Sequence, residues 1–198
     1  LREVKNVESK RLPSGRFVDA IDVETVIATC LRDGSALAIR DACIVAVMVG
    51  AGLREKELVH VNHGDYDLAL GVIRVLVAKR RKQREAYLVA RFDALLAKLL
   101  EVVDGLEGDP LVPRFSPKGE VMRPLRRLTT QSVNDAVGRL VIASGVRSFT
   151  PHDLRRTFIT NQLAAGHEAL RVARAVGHEN PKTTMIYDRR TAESDRLA

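Results

Sequence analysis

From Ala36 to Gly50 the chain is almost continuously apolar, and it closes on glycines at Gly50 and Gly52. Such a stretch is a helix that must be removed from water, either in a protein core or in a bilayer. Its uncharged part, residues 42–51, is bracketed by Arg40, Asp41 and Arg54 and falls short of the roughly 18 residues a membrane span needs. The stretch therefore reads as a core helix, and no membrane partner is expected. A neighbour precedes it, with Val23, Val26, Ile27 and Leu31 at helical spacing behind a cap at Asp22. With 198 residues, 45% of them apolar and 29% charged, the chain can build one substantial core or two small ones. That composition excludes disordered, collagenous and disulfide-dense classes. Cys30 and Cys43 fall inside apolar helical patterns and read as buried thiols of a reducing compartment, by default the cytoplasm.

The remaining elements follow from period and punctuation. Residues 1–20, with Pro13-Ser14-Gly15, have no helical period and read as an arm or linker that orders against a partner; what precedes them is expected to be missing. Residues 72–77 are β-branched and apolar, a basic turn occupies 79–84, and a returning strand at 86–89 completes a small antiparallel sheet. Further helices are expected over 92–103, from a Thr129 or Thr130 cap to about Ser144, over 152–165 behind Pro151, and over 168–176. A last short helix, capped by Asn180 and Pro181, is expected to contain Tyr187. The fold class is mainly α with a small antiparallel sheet.

Charge is concentrated as well as abundant. The balance is 32 Lys+Arg against 25 Asp+Glu, a formal +7. Within it lie the run Lys79-Arg80-Arg81-Lys82-Gln83-Arg84, a second group at Arg123, Arg126 and Arg127, and the pair Arg155-Arg156. Aligned like charges without interleaved Glu repel one another unless a polyanion is bound, so a nucleic-acid phosphate backbone is the expected partner. His152 and Arg155 are three apart on one helix face, where both can meet one phosphate while Leu154 points to the core. Gly177-His178 puts an imidazole at a helix end, and Tyr187 follows nine residues later. Arg54 stands directly after the apolar helix, with Glu57 one turn on to orient it. Taken singly, Tyr187 reads as a half-buried helix tyrosine, His178 as a capping histidine and Arg54 as the partner of a surface Glu. His60 and His63 belong to no ligand set at recognisable spacing and read as turn or surface residues; no metal and no cofactor are expected.

Taken together, Gly52-Leu53-Arg54 with Glu57, Lys79, the stretch Thr150-Pro151-His152-Asp153-Leu154-Arg155-Arg156-Thr157-Phe158, and Val176-Gly177-His178 through Tyr187 resemble the tyrosine recombinases, or phage integrase family. The matches span about residues 22–190 in the family's order. The resemblance implies the DNA breaking-rejoining catalytic-domain fold over residues 21–198 and a site-specific recombinase or integrase from a mobile element or phage. In that chemistry Tyr187 attacks a DNA phosphate and forms a 3′-phosphotyrosyl bond without a metal. Arg54 and Arg155 grip the non-bridging oxygens, His178 bonds a phosphate oxygen, and His152 accepts or orients the tyrosine proton. Lys79 protonates the departing 5′-oxygen, and Glu57 supports the site from behind. A shifted turn would bring Arg80 or Lys82 there instead, since Ala78 and Arg80-Arg81 replace glycines common around the family's lysine. Arg80, Arg81, Lys82, Arg84 and Arg156 are expected to contact the DNA backbone. Double-stranded DNA is the implied partner, with self-association into a tetramer for a full-length protein, a monomer for this piece, and weak binding by it alone. The implied place is the bacterial cytoplasm, at the nucleoid. A type IB topoisomerase-like activity and a catalytically silent DNA-binding module are the alternatives.

Overall fold

The computed structural model describes residues 15–77 and 82–188. Eight helices and a three-stranded sheet make up the described part. They are α1 (Ala20–Asp33), α2 (Ala36–Gly50), α3 (Glu55–Leu58), β1 (Tyr66–Asp67), β2 (Val72–Val77), β3 (Lys82–Tyr87), α4 (Asp93–Val103), α5 (Thr130–Ser144), α6 (Pro151–Ala164), α7 (Ala169–Val176) and α8 (Pro181–Met185).

The apolar stretch is the axis of the core. Every residue of α2 from Ile39 to Gly50 is buried, and α1, α4, α5 and α6 all pack on it. Ser35 caps it by accepting from the Ala38 amide at 3.2 Å. The charges that bracket its apolar part are buried too, and they are satisfied: Arg40 donates to Asp41 at 2.6 Å and to the Pro113 carbonyl at 3.0 Å, and lies over the Phe115 ring. The second oxygen of Asp41 accepts from Arg139 at 2.9 Å. No described helix is long and apolar enough to cross a membrane. Both thiols are free and buried, and burial pushes Cys30 up to about 12.

Capping sets the helices that matter for the site. Thr129 caps α5 through the Ser132 amide, and Pro151 occupies the first turn of α6 behind Thr150. Asp153, in the same turn, accepts from the Thr150 amide at 2.9 Å, the Thr150 hydroxyl at 2.8 Å and the Arg16 amide at 2.7 Å. Val18, fully buried, donates its amide to Thr157 Oγ1 at 2.8 Å. Residues 15–19 are thus packed on α6, where a linker through residue 20 was expected. Gly15 is required there, at φ +122°, because a Cβ would lie 2.4 Å from Asp153 Oδ1.

Three other boundaries differ from the sequence reading. Asp19, not Asp22, is the N-cap of α1; Asp22 sits in its first turn and pairs with Arg16 at 2.7 Å. α8 ends at Met185, two residues before Tyr187. Strand β3 starts at Lys82, in the middle of the basic run, and pairs antiparallel with β2 in the register Val75↔Arg84 and Ile73↔Ala86.

Asp153→Ala removes the reciprocal half of the α6 capping box and strands the Thr150 and Arg16 amides. The expected loss is about 2 kcal/mol of folding stability, read from the denaturant midpoint at unchanged m-value.

Candidate active site

Helix α7 ends at Gly177, which at φ +68° takes the left-handed conformation that stops a helix. The last carbonyls of a helix lack intrahelical partners and carry its negative dipole end. Three consecutive ones are each taken by a different arginine. The Ala175 carbonyl accepts from Arg84 at 2.6 Å, that of Val176 from Arg155 at 2.6 Å, and that of Gly177 from Arg54 at 2.8 Å. These arginines come from β3, α6 and the N-cap of α3.

Glu57 stands among the same three guanidiniums. Its Oε1 accepts from Arg54 Nη1 at 2.8 Å, and its Oε2 accepts from Arg84 Nη2 at 2.7 Å and from the Arg54 amide at 2.8 Å. Arg155 Nη1, 3.6 Å from Oε2, also donates to the Gly52 carbonyl at 2.5 Å. Burial works against the charged form of Glu57, but Arg84, the Arg54 amide, Arg155 and Arg54 together hold its carboxyl below the ordinary range. Three cations and one anion leave this cluster at +2. Glycines stand at two close approaches beside it. A Cβ on Gly52 would lie 2.4 Å from Phe158 Cδ1, and one on Gly177 would lie 3.1 Å from Arg84 Nε.

A cavity of about 350 Å³ opens on the cluster, lined by Arg54, Lys56, His152, Arg155, His178 and Tyr187, among others. Arg155 is buried, and desolvation, then the charge of Arg54, lowers its pKa to about 9; it remains a cation at neutral pH. His178 is half-buried, with Nδ1 2.8 Å from the hydroxyl of the fully buried Thr184. Burial first, then Arg155, Arg54 and His152, push its imidazole down to about 4, with Glu57 pulling the other way. At neutral pH His178 is therefore uncharged. Tyr187 is 9% exposed, packed with Phe158, Ile159, Leu163, Val172 and Val176, and the Arg156 guanidinium lies over its ring at 5.4 Å from the centroid.

The structure brings Arg54, His152, Arg155, His178 and Tyr187 to one cavity, with Glu57 behind the arginines. Lys79, Arg80 and Arg81 lie outside the described residues, as does the Lys82 side chain. Arg84 departs from its expected place in a backbone-binding turn: it points inward, 10% exposed, with both Nη atoms committed to protein acceptors. The reason is strand parity, since Ala86 and Leu88 on the same alternation are buried. That alternation was visible in the sequence, but reading residues 79–84 as a turn hid it. Arg156 sits on Tyr187, and Thr184 had no local signal for its contact with His178. His60 is exposed, with Nδ1 2.7 Å from the Lys56 carbonyl oxygen.

Residues 16–194 match the model of the phage integrase family. The chain is 32% identical over 178 residues to the tyrosine recombinase XerC of Vibrio vulnificus strain YJ016, covering 90% of this chain and 54% of that protein. It is 29% identical over 176 residues to the XerC of Herpetosiphon aurantiacus, covering 87% and 55%. The chain thus spans about half the length of these curated relatives. In fold it is similar to XerA recombinase, with a TM-score of 0.73 at 23% identity over 91% of this chain and 60% of that one. It is similar also to XerH recombinase in a post-cleavage complex with its palindromic difH substrate, with a TM-score of 0.70 at 22% identity over 94% and 53%.

The His178 shift has a direct consequence for stability. Its ordinary value is 6.5 and its folded value about 4, so between those pH values the unfolded chain binds the extra proton. Stability is expected to rise with pH from about 4 to 6.5, and His178→Gln to flatten that slope, as read from thermal midpoints across the range.

Proposed function

The chain belongs to the phage integrase family, and from that membership and the cavity's geometry we propose that it cleaves and rejoins double-stranded DNA through a 3′-phosphotyrosyl bond at Tyr187. The observation that carries this reading is the convergence of a phenol, two imidazoles and an arginine cluster of net charge +2 on one cavity. A phosphodiester brings one negative charge, and the pentacoordinate phosphorus formed on attack carries two. A fixed +2 is therefore matched to the charge that builds during the reaction, which is the form of stabilisation that accelerates it.

Each guanidinium has five N–H donors. Arg54 and Arg155 each use two of these on protein oxygens, so both keep donors for the non-bridging oxygens of a phosphate in the cavity. In the tautomer of neutral His178 whose Nδ1 accepts from the Thr184 hydroxyl, the imidazole proton sits on Nε2, where it can donate to a phosphate oxygen. The Tyr187 oxygen attacks phosphorus as its proton passes to His152. The bond from phosphorus to the 5′-oxygen breaks, and Lys79 supplies the proton that completes the 5′-hydroxyl. Rejoining reverses these transfers: a 5′-hydroxyl from the same or a partner strand attacks the phosphotyrosine and releases Tyr187. Exchange between duplexes then makes the chain part of a site-specific recombinase of a mobile element or phage. Self-association into a tetramer on DNA belongs to the longer protein, working in the bacterial cytoplasm at the nucleoid.

Incubation with a nicked suicide duplex is expected to give an adduct that survives denaturation, and Tyr187→Phe is expected to abolish it. An adduct that persists in Tyr187→Phe would mean another nucleophile; salt-dependent binding without any adduct would mean a silent binding module. Relaxation of supercoils without partner exchange would mean a topoisomerase. Arg155→Lys, which loses the fork, is expected to slow adduct formation by about 10²–10³-fold.

A further inference from the structure

We propose that Arg84 is a positioning residue for strand cleavage: from β3 it holds Glu57 in place, and through Glu57 it aims the Arg54 and Arg155 guanidiniums at the scissile phosphate. The proposal rests on the cleavage reading above. Arg84 has no part in the cavity that holds Tyr187, and both of its Nη atoms are spent on the Ala175 carbonyl and Glu57 Oε2, so it touches no reacting atom.

Its arrangement is poor for stability. The Arg84 side chain is 10% exposed and lies beside two other cations, and its buried Nε has no hydrogen-bond partner among the described residues. Strand partner Val75 and Ala86, two residues on, are both buried, so this side of the strand is otherwise apolar. What Arg84 does have is the most direct hold on Oε2, the Glu57 oxygen that lies 3.6 Å from Arg155.

The charged and titratable groups facing Glu57 are Arg54 from α3, Arg84 from β3, Arg155 from α6 and His178 beyond α7. Among the three arginines, Arg84 opposes most strongly the effect of burial on this carboxyl. Without it, Glu57 takes up a proton at higher pH. A protonated Glu57 releases the Arg54 fork and removes the one negative charge that holds three guanidiniums together. Arg84 also ties the strand following residues 78–81 to the end of α7, next to His178. The backbone of the sheet is thereby fixed to the phosphate-facing groups.

The test uses the full chain and single-turnover cleavage of the suicide duplex from pH 5 to 8, for wild type, Arg84→Met, Arg84→Lys, Glu57→Gln and the double variant Arg84→Met/Glu57→Gln. Thermal midpoints and the salt dependence of duplex binding are measured alongside. Arg84→Met is expected to fold with a lowered midpoint, because the Ala175 carbonyl and Glu57 Oε2 each lose a donor, and to bind DNA with the wild-type salt slope. Its acid limb of cleavage should move up by about one pH unit or more, giving a loss that is largest at pH 5 and fades toward pH 8. Arg84→Lys should restore the shape of the profile, and the double variant should be no slower than Glu57→Gln.

A salt slope reduced by about one with an unchanged pH profile would overturn the proposal in favour of a phosphate contact. Losses that multiply in the double variant would overturn it by showing that Arg84 acts apart from Glu57. A lowered midpoint with no shift of the limb would leave Arg84 a purely structural residue. A wild type that forms no Tyr187 adduct ends the cleavage reading and the proposal together, whereas a normal adduct with Arg84→Met unaffected at every pH ends the proposal alone.

Discussion

Everything near the cavity depends on where four elements meet: the open end of α7 and the carboxylate of Glu57, bridged by three arginines. Each guanidinium has one hand on a helix-terminal carbonyl, at Ala175, Val176 or Gly177, while Glu57 balances their charges. Three cations would not stay packed together without acceptors on two sides. The carbonyls supply dipoles that cannot be titrated away, and Glu57 supplies the one full negative charge. The glycine at 177 follows from this, because a Cβ there would enter the space of Arg84.

The cluster also sets the character of its neighbours. His178 lies at its edge, and burial together with two nearby guanidiniums keeps the imidazole neutral, so it is a hydrogen-bond donor and acceptor without adding charge. Positive potential at the cavity therefore comes from guanidiniums held by short bonds to backbone and carboxylate, and little reorganisation is needed when an anion arrives. Tyr187 reaches the same cavity from a small apolar cluster of its own, with Arg156 over its ring.

Much of the scaffold was legible because its signals are local. Thr129 and Pro151 announce α5 and α6, and the nearly continuous apolarity of α2 announces that it lies at the centre. Contacts between elements override two local signals. Asp22 suits a helix start, but Arg16 takes it into an ion pair and Asp19 is the N-cap. The basic run read as a turn because charge outweighed alternation; β3 in fact begins at Lys82 and obeys the pleat.

The sequence by itself determined which chemical groups are present and which helices carry them, because caps and periodicity act over a few residues and survive any tertiary arrangement. Only the tertiary structure decided what those groups are worth. Arg84 becomes a buried partner of Glu57, and His178 becomes an uncharged imidazole, through contacts between elements far apart in the chain. The physical reason is that charge state and aim depend on desolvation and on acceptors delivered by other elements. No spacing along one strand or helix encodes that a carbonyl from α7 waits at the end of a side chain from β3.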